Sequence, residues 1–119
     1  VDRFLHRVPY EKTPEVYAAC DILLKTSLLE SFSYPPLEMM ASGGYVVAVP
    51  NGGNLEYLKD GENCILYPQG NLAEAKAAIE RILTDAELRK KLDTGAEETV
   101  KERNWKRIEP QILEQYLGK

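Results

Sequence analysis

The sequence predicts an α/β fold, with helices on both faces of a mainly parallel sheet. Three observations lead there. Residues 22–24, 45–49 and 64–67 are short, nearly unbroken apolar runs, the pattern of strands covered on both sides. Helical patterns with their own start signals lie between and after them. Turn signals at Gly43-Gly44, 50–53 (P-N-G-G) and Asp60-Gly61 separate the pieces. Strands that alternate with helices need crossover connections, which make the sheet parallel.

Taken in order, residues 1–5 alternate weakly, with Val1, Phe4 and Leu5 apolar, and are expected as a strand entering a turn at Pro9. Thr13-Pro14 is a helix start, a hydroxyl cap followed by Pro in the first position. That helix is expected to run to Cys20 and to bury Val16, Tyr17 and Cys20. Asp21 closes it, and 22–24 form the next strand. A polar loop leads to Pro35-Pro36 and an apolar helix that stops at Gly43-Gly44. Residues 45–49 (YVVAV) follow as a strand. Asn54 is expected to cap a short helix through Leu58, and 64–67 form a third strand. Asn71-Leu72-Ala73-Glu74 is a capping box with Asn in place of Ser or Thr. Leu72, Ala75, Ala78, Ile79, Ile82 and Leu83 then keep helical spacing. Asp85 caps another helix with Leu88 and Leu92 inward, and a third is expected to carry Ala96 and Val100. The charged run 85–102 suits a solvated helix face. Asn104 begins the last helix, with Trp105, Ile108, Ile112, Leu113, Tyr116 and Leu117 on its apolar side; Pro110 kinks it or delays its start.

The 119 residues bound the chain to one domain with a modest core. Fifteen basic against nineteen acidic residues give a formal charge of −4. No basic stripe interleaved with aromatics is present, so a nucleic-acid partner is not expected. Apolar stretches such as 41–50 are broken by Gly and are too short to span a membrane. Cys20 and Cys64 make neither a disulfide framework nor a metal spacing, and two lone cysteines suit a reducing cytoplasm. With a single His in the chain, a His-based metal site is not expected. That residue, His6, has no visible triad partner and is expected as an exposed loop side chain.

The functional expectation centres on residues 30–44, ESFSYPPLEMMASGG. They form a strand-to-helix elbow. Pro36 suits the first helical position, because its φ is already helical and its missing N–H would have been unpaired there. The backbone N–H groups around residues 33–37 then point out of the helix start, where the dipole favours an anion. Glu30 and Glu38 flank this positive end. A carboxylate repels a pyrophosphate but accepts hydrogen bonds from a neutral cis-diol, as acidic residues do for ribose in dinucleotide folds. Amides for phosphate beside an acid for hydroxyls make a consistent cradle for a nucleotide sugar. The plain alternative is that both acids sit there only because the dipole favours them.

Glu30 and Glu38 are separated by seven residues, and the stretch resembles the E-x7-E motif of retaining glycosyltransferases of the GT-B fold, the large family 4 group in particular. Gly52-Gly53-Asn54-Leu55-Glu56 resembles the G-G-x-x-E that follows in that family, and Asp60-Gly61-Glu62-Asn63 its D-G-x-N turn. Phe4-Leu5 and Tyr17-Ala18-Ala19-Cys20-Asp21 match more loosely. The ordered series covers nearly the whole chain. It implies a Rossmann-like, three-layer, partial C-terminal domain of a GT-B enzyme, with 1–119 as the later part of the nucleotide-sugar donor-binding domain. Glu30, the catalytic candidate, is implied beside the donor sugar and its phosphates. Glu38 is implied on the ribose hydroxyls, and the amides of Phe32, Ser33 and Tyr34 on sugar and diphosphate. Arg7, with His6, is implied near the base. Glu56 is expected either to approach the donor or merely to belong to the first turn of its short helix. Trp105 is expected to pack rather than stack on sugar. Ser31 and Ser33 replace the family's usual glycines, Tyr45 a common Pro, and Cys64 a Gly.

The resemblance also implies partners. The N-terminal acceptor domain, the first strands of the donor domain and the Arg/Lys pair that neutralises the diphosphate do not fall within these residues. A fragment, or a chain whose partner supplies the remainder, is therefore expected. In the strand order 3-2-1-4-5-6 the missing strands are the central ones, between 1–5 and 22–24, so the present pieces are not expected to form a continuous sheet by themselves. The implied reaction moves a hexosyl-type group from a nucleotide sugar to an acceptor glycan or lipid-linked acceptor, with retention, without an obligatory metal or cofactor. The implied location is the cytoplasm or the cytoplasmic face of a membrane. A non-catalytic nucleotide-sugar-binding or regulatory module is the alternative, and an α/β interaction domain whose glutamates only cap helices is the third reading.

Overall fold

The computed structural model describes residues 9–26 and 34–103, apart from the side chains of Tyr10, Thr13 and Tyr34. A 3-10 turn, Tyr10–Lys12, runs into α1, Thr13–Ala18. Then come β1 (Ile22–Lys25), α2 (Tyr34–Ala41), β2 (Tyr45–Ala48), β3 (Ile65–Leu66), α3 (Leu72–Thr84) and α4 (Ala86–Glu102). The expected strand over 1–5 and the helix from Asn104 onward lie outside the described residues.

β1, β2 and β3 form one parallel sheet in that order. Ile22 pairs with Tyr45 and Lys25 with Ala48; Val47 pairs with Ile65. The break expected between a strand over 1–5 and the one over 22–24 lies outside the described residues. The ladder continues past the strand ends, with Val49 N–H on Lys25 O at 3.1 Å and Tyr67 N–H on Ala48 O at 3.0 Å.

β2 is the centre, and its side chains alternate between two cores as a strand's must. Val46 and Ala48 pack with Met39, Met40, Tyr57, Leu58, Cys64 and Ala96. Val47 and Val49 pack with Ile65, Tyr67, Ala75, Ala78, Ile82 and Leu92. The first core is covered by α2, the second by α3, and α4 reaches both through Ala96 and Leu92. The three-layer expectation is met.

Several local expectations change. Thr13 is the first residue of α1 rather than its cap, and Lys12 at the cap position makes no side-chain bond. The helix stops at Ala18, with Ala19 and Cys20 bonded to its last carbonyls and Cys20 exposed. No helix follows Asn54; residues 52–57 are successive turns. The helices expected after Asp85 are one, α4, which passes straight through Gly95. Both capping carboxyl or amide oxygens act as expected: Asn71 accepts from Glu74 N–H and Asp85 from Leu88 N–H, each at 3.0 Å. Leu72 and Leu83 are exposed. At about 100° per residue, Ala75, Ala78 and Ile82 centre the buried stripe of α3. Ile79 lies at its flank, and Leu72 and Leu83 lie further round.

Candidate functional site

In a parallel α/β sheet ligands bind beyond the carboxyl ends of the strands. Here Lys25, Ala48 and Leu66 end the strands on one edge. α2 is the helix that follows β1; it starts at Tyr34, so Pro36 is its third residue rather than the expected first. Pro36 is fully buried, so the start of the helix is anchored by packing as well as by its fixed φ.

The far end of α2 is equally well set. Gly43 N–H bonds Met40 O and Gly44 N–H bonds Met39 O, at 3.1 and 3.0 Å. With Gly43 at φ 84°, this is a Schellman cap. A Cβ on Gly44 would run into the Met39 side chain and Asp21 O. The helix is thus held against the start of the sheet at one end and opens at the carboxyl edge at the other.

Glu38 lies one turn into α2 and is half-buried. Tyr17 of α1 lies near it: burial pushes the Tyr17 hydroxyl up to about 12, with nearby Glu38 adding to the rise. Tyr17 also packs against the core that contains Met39 and Met40. In the sequence Tyr17 is an apolar position of α1 and part of the looser family match, and its polar tip is the signal that it lies beside a polar group.

Of the other expected site residues, Glu30, Phe32, Ser33 and Arg7 lie outside the described residues, as does His6. Tyr34 is placed through its backbone, at the head of α2.

The loop after β2 is fastened by two buried asparagines. Asn51 Oδ1 accepts from Gly53 and Asn54 N–H, each at 2.9 Å. Asn54 Oδ1 accepts from Asn51 N–H at 3.0 Å, while its Nδ2 donates to Val49 O at 2.9 Å. Asn54 therefore closes a turn backward instead of starting a helix forward, a habit of Asx side chains. Glu56 faces Arg103 at the end of α4, at 3.9 Å, and its carbonyl accepts from the same guanidinium at 3.0 Å.

The D-G-x-N turn is framework. Asp60 Oδ1 accepts from Leu66 N–H at 2.9 Å, and Gly61 has φ 77°. Asn63 accepts from Lys59 N–H at 2.9 Å and donates to Tyr57 O and Thr99 Oγ1, at 2.7 and 2.8 Å. Cys64 is buried, and burial pushes its thiol up to about 12, helped by the nearby Asp60 charge. On the opposite edge of the sheet Tyr45 donates to Asp93 at 3.2 Å; burial first, then Asp93, raises its hydroxyl. Clefts beside α4, one against 59–63 and one against the end of α2, do not include Glu38. Among the described residues no three His, Cys, Asp or Glu side chains gather as a metal site, and no helix is long and apolar enough to cross a membrane.

Residues 3–99 match the family Glycosyl transferases group 1. The chain is 35% identical over 117 residues to the O-antigen biosynthesis protein RfbC of Myxococcus xanthus, covering 96% of this chain and 9% of that protein. Among solved structures it resembles Anabaena HepE in complex with UDP, with a TM-score of 0.81 at 29% identity, over 89% of this chain and 30% of that one. HepE has also been solved with UDP-glucose. The C-terminal domain of a glycosyl transferase group 1 family protein, LpcC, from Francisella tularensis matches with a TM-score of 0.72 at 28% identity. That match covers 82% of this chain and 50% of that one. The chain therefore spans half or less of these proteins' length. Match and fold agree, and the chain belongs to the group 1 glycosyl transferases.

Proposed function

We propose that residues 1–119 are the donor-binding part of a retaining, hexosyl-transferring enzyme. The first strands of this domain and an N-terminal acceptor domain belong to the rest of the natural protein. The observation that carries the reading is the placement of α2. A Pro-started helix opens at the carboxyl edge of a parallel sheet, with a half-buried Glu38 one turn inside it. Amides at that start suit a diphosphate, and a carboxylate nearby suits the ribose diol. Binding of UDP and UDP-glucose by HepE supports a nucleotide-sugar ligand.

In this reading Glu38 holds the ribose hydroxyls, and the amides of Phe32, Ser33 and Tyr34 hold sugar and diphosphate. Glu30 contacts the donor-sugar hydroxyls, and Arg7 lies on the base side. The bond from the anomeric carbon to the diphosphate breaks, and that carbon joins an acceptor hydroxyl oxygen with its configuration kept. Charge that develops on the leaving diphosphate is met by helix-start dipoles and by cations from the rest of the protein. No metal is required, and the reaction takes place at the cytoplasmic side, on a glycan or lipid-linked acceptor.

The test is turnover by the natural, full-length protein with UDP-, GDP- and ADP-sugars and a panel of such acceptors. Acceptor-dependent release of one nucleoside diphosphate is expected, unchanged by EDTA. Proton NMR of the product should show the anomeric configuration of the donor. An inverted product, or loss of turnover on chelation, contradicts the reading.

A further inference from the structure

We propose that Tyr67 is a positioning residue for the donor site: its hydroxyl holds the carbonyl of Lys25 and so fixes the point where the chain leaves β1 for α2. The inference rests on the donor-site reading above. Lys25 is the last residue of β1, and α2 is the next element. Its carbonyl accepts from Val49 N–H at 3.1 Å and from the Tyr67 hydroxyl at 3.3 Å. A carbonyl oxygen has two lone pairs, so it serves both donors. Tyr67 is itself set independently of that bond. Its N–H bonds Ala48 O at 3.0 Å, and its buried side chain packs with Val47, Val49, Ile65 and Ala75. A side chain that follows β3 thus reaches across β2 to the end of β1.

This bond lies on the carboxyl edge, where α2 opens. Val49, the other donor to Lys25 O, has its own carbonyl held by Asn54 Nδ2 at 2.9 Å. Tyr67, Lys25, Val49 and Asn54 therefore form one hydrogen-bonded line across that edge. A strand end held by one bond opens more readily than an end held by two. Beyond the strand, buried Pro36 anchors the start of α2. With both ends of the connection set, less conformational freedom remains to be lost when ligand binds, and preorganisation of this kind appears as affinity. Supporting groups act this way when packing locks them behind a site. The amino edge supplies a matched contrast. There Tyr45 donates its hydroxyl to Asp93 at 3.2 Å, which ties β2 to α4 rather than strand to strand.

The experiment compares the natural, full-length protein with its Tyr67→Phe, Tyr45→Phe and Glu38→Ala variants. Each is titrated calorimetrically with UDP, GDP and ADP, well below its melting temperature. Both Tyr→Phe changes keep the ring and remove one hydroxyl bond. Tyr67→Phe is expected to weaken the nucleoside diphosphate that wild type binds by roughly two- to tenfold, the range one neutral hydrogen bond supplies. Tyr45→Phe should bind it as wild type does. Equal weakening in the two Tyr→Phe variants overturns the inference, because general loosening then accounts for the loss. Unchanged affinity in Tyr67→Phe beside weakened binding in Glu38→Ala overturns it while the donor-site reading stands. Unchanged affinity in Glu38→Ala, or binding of none of the three nucleotides by wild type, defeats both.

Discussion

Cys64 and Tyr17 keep their protons because the folded chain withholds water from them, and both are pushed up to about 12. Each is neutral when protonated, so the folded state binds the proton more tightly than the unfolded one. The associated stability is fully present below about pH 9 for the thiol and about pH 10 for the phenol. It is lost as pH rises from those values toward 12. Thermal melts from pH 7 to pH 11 should therefore show a melting temperature that falls above about pH 9. Cys64→Ala should lower the plateau yet flatten the first part of the fall; an unchanged slope would place the titration elsewhere. The same burial makes Cys64 inert to a thiol reagent in the native state, whereas the exposed Cys20 reacts. Rapid labelling of Cys64 in native protein would contradict this. The amino-acid string identified both cysteines as free thiols, but not which was hidden. That depended on Cys64 falling beside β3, under α4.

Elements were most legible where their signals were local. The caps at Asn71 and Asp85 and the Gly43-Gly44 stop are written in a few adjacent residues, and each forms the expected bonds or backbone angle. Asn54 misled because its partners lie backward, and the two helices expected after Asp85 are one because the contact that fits Gly95 is remote in sequence. Asn54 is engaged with Asn51 and Val49. Gly95 resembles a helix breaker, yet it lets α4 lie against the carbonyl of Glu62, where a Cβ would collide. A Gly→Ala change in an open helix would stabilise by about 1 kcal/mol. Here the obstacle is backbone on a fastened turn, so overpacking of about 1–3 kcal/mol or more should win. Gly95→Ala is expected to lower the melting temperature by several degrees. A variant as stable as wild type would mean that the turn yields freely.

For the molecule as a whole, three parallel strands carry α2 on one face and α3 on the other, and α4 reaches both cores. That architecture was legible because the alternation of apolar runs and capped helices leaves few topologies. The break expected in the sheet, between 1–5 and 22–24, lies outside the described residues. The site was legible in part. Glu38 lies on α2, the helix that follows β1, whereas Glu30, the motif's other acid, lies outside the described residues. Glu56, an alternative donor contact by motif, is engaged with Arg103 at the surface. A pair this exposed contributes about 0–1 kcal/mol. The central claim is that α2 and Glu38 receive a nucleotide sugar. It is tested most directly by calorimetric titration of the natural, full-length protein and its Glu38→Ala variant with UDP-, GDP- and ADP-sugars. Saturable binding of one donor by wild type is expected. In Glu38→Ala that binding should be lost, with a melting temperature within a few degrees of wild type, because the changed side chain is only half-buried. Equal affinity in the two proteins would contradict the account.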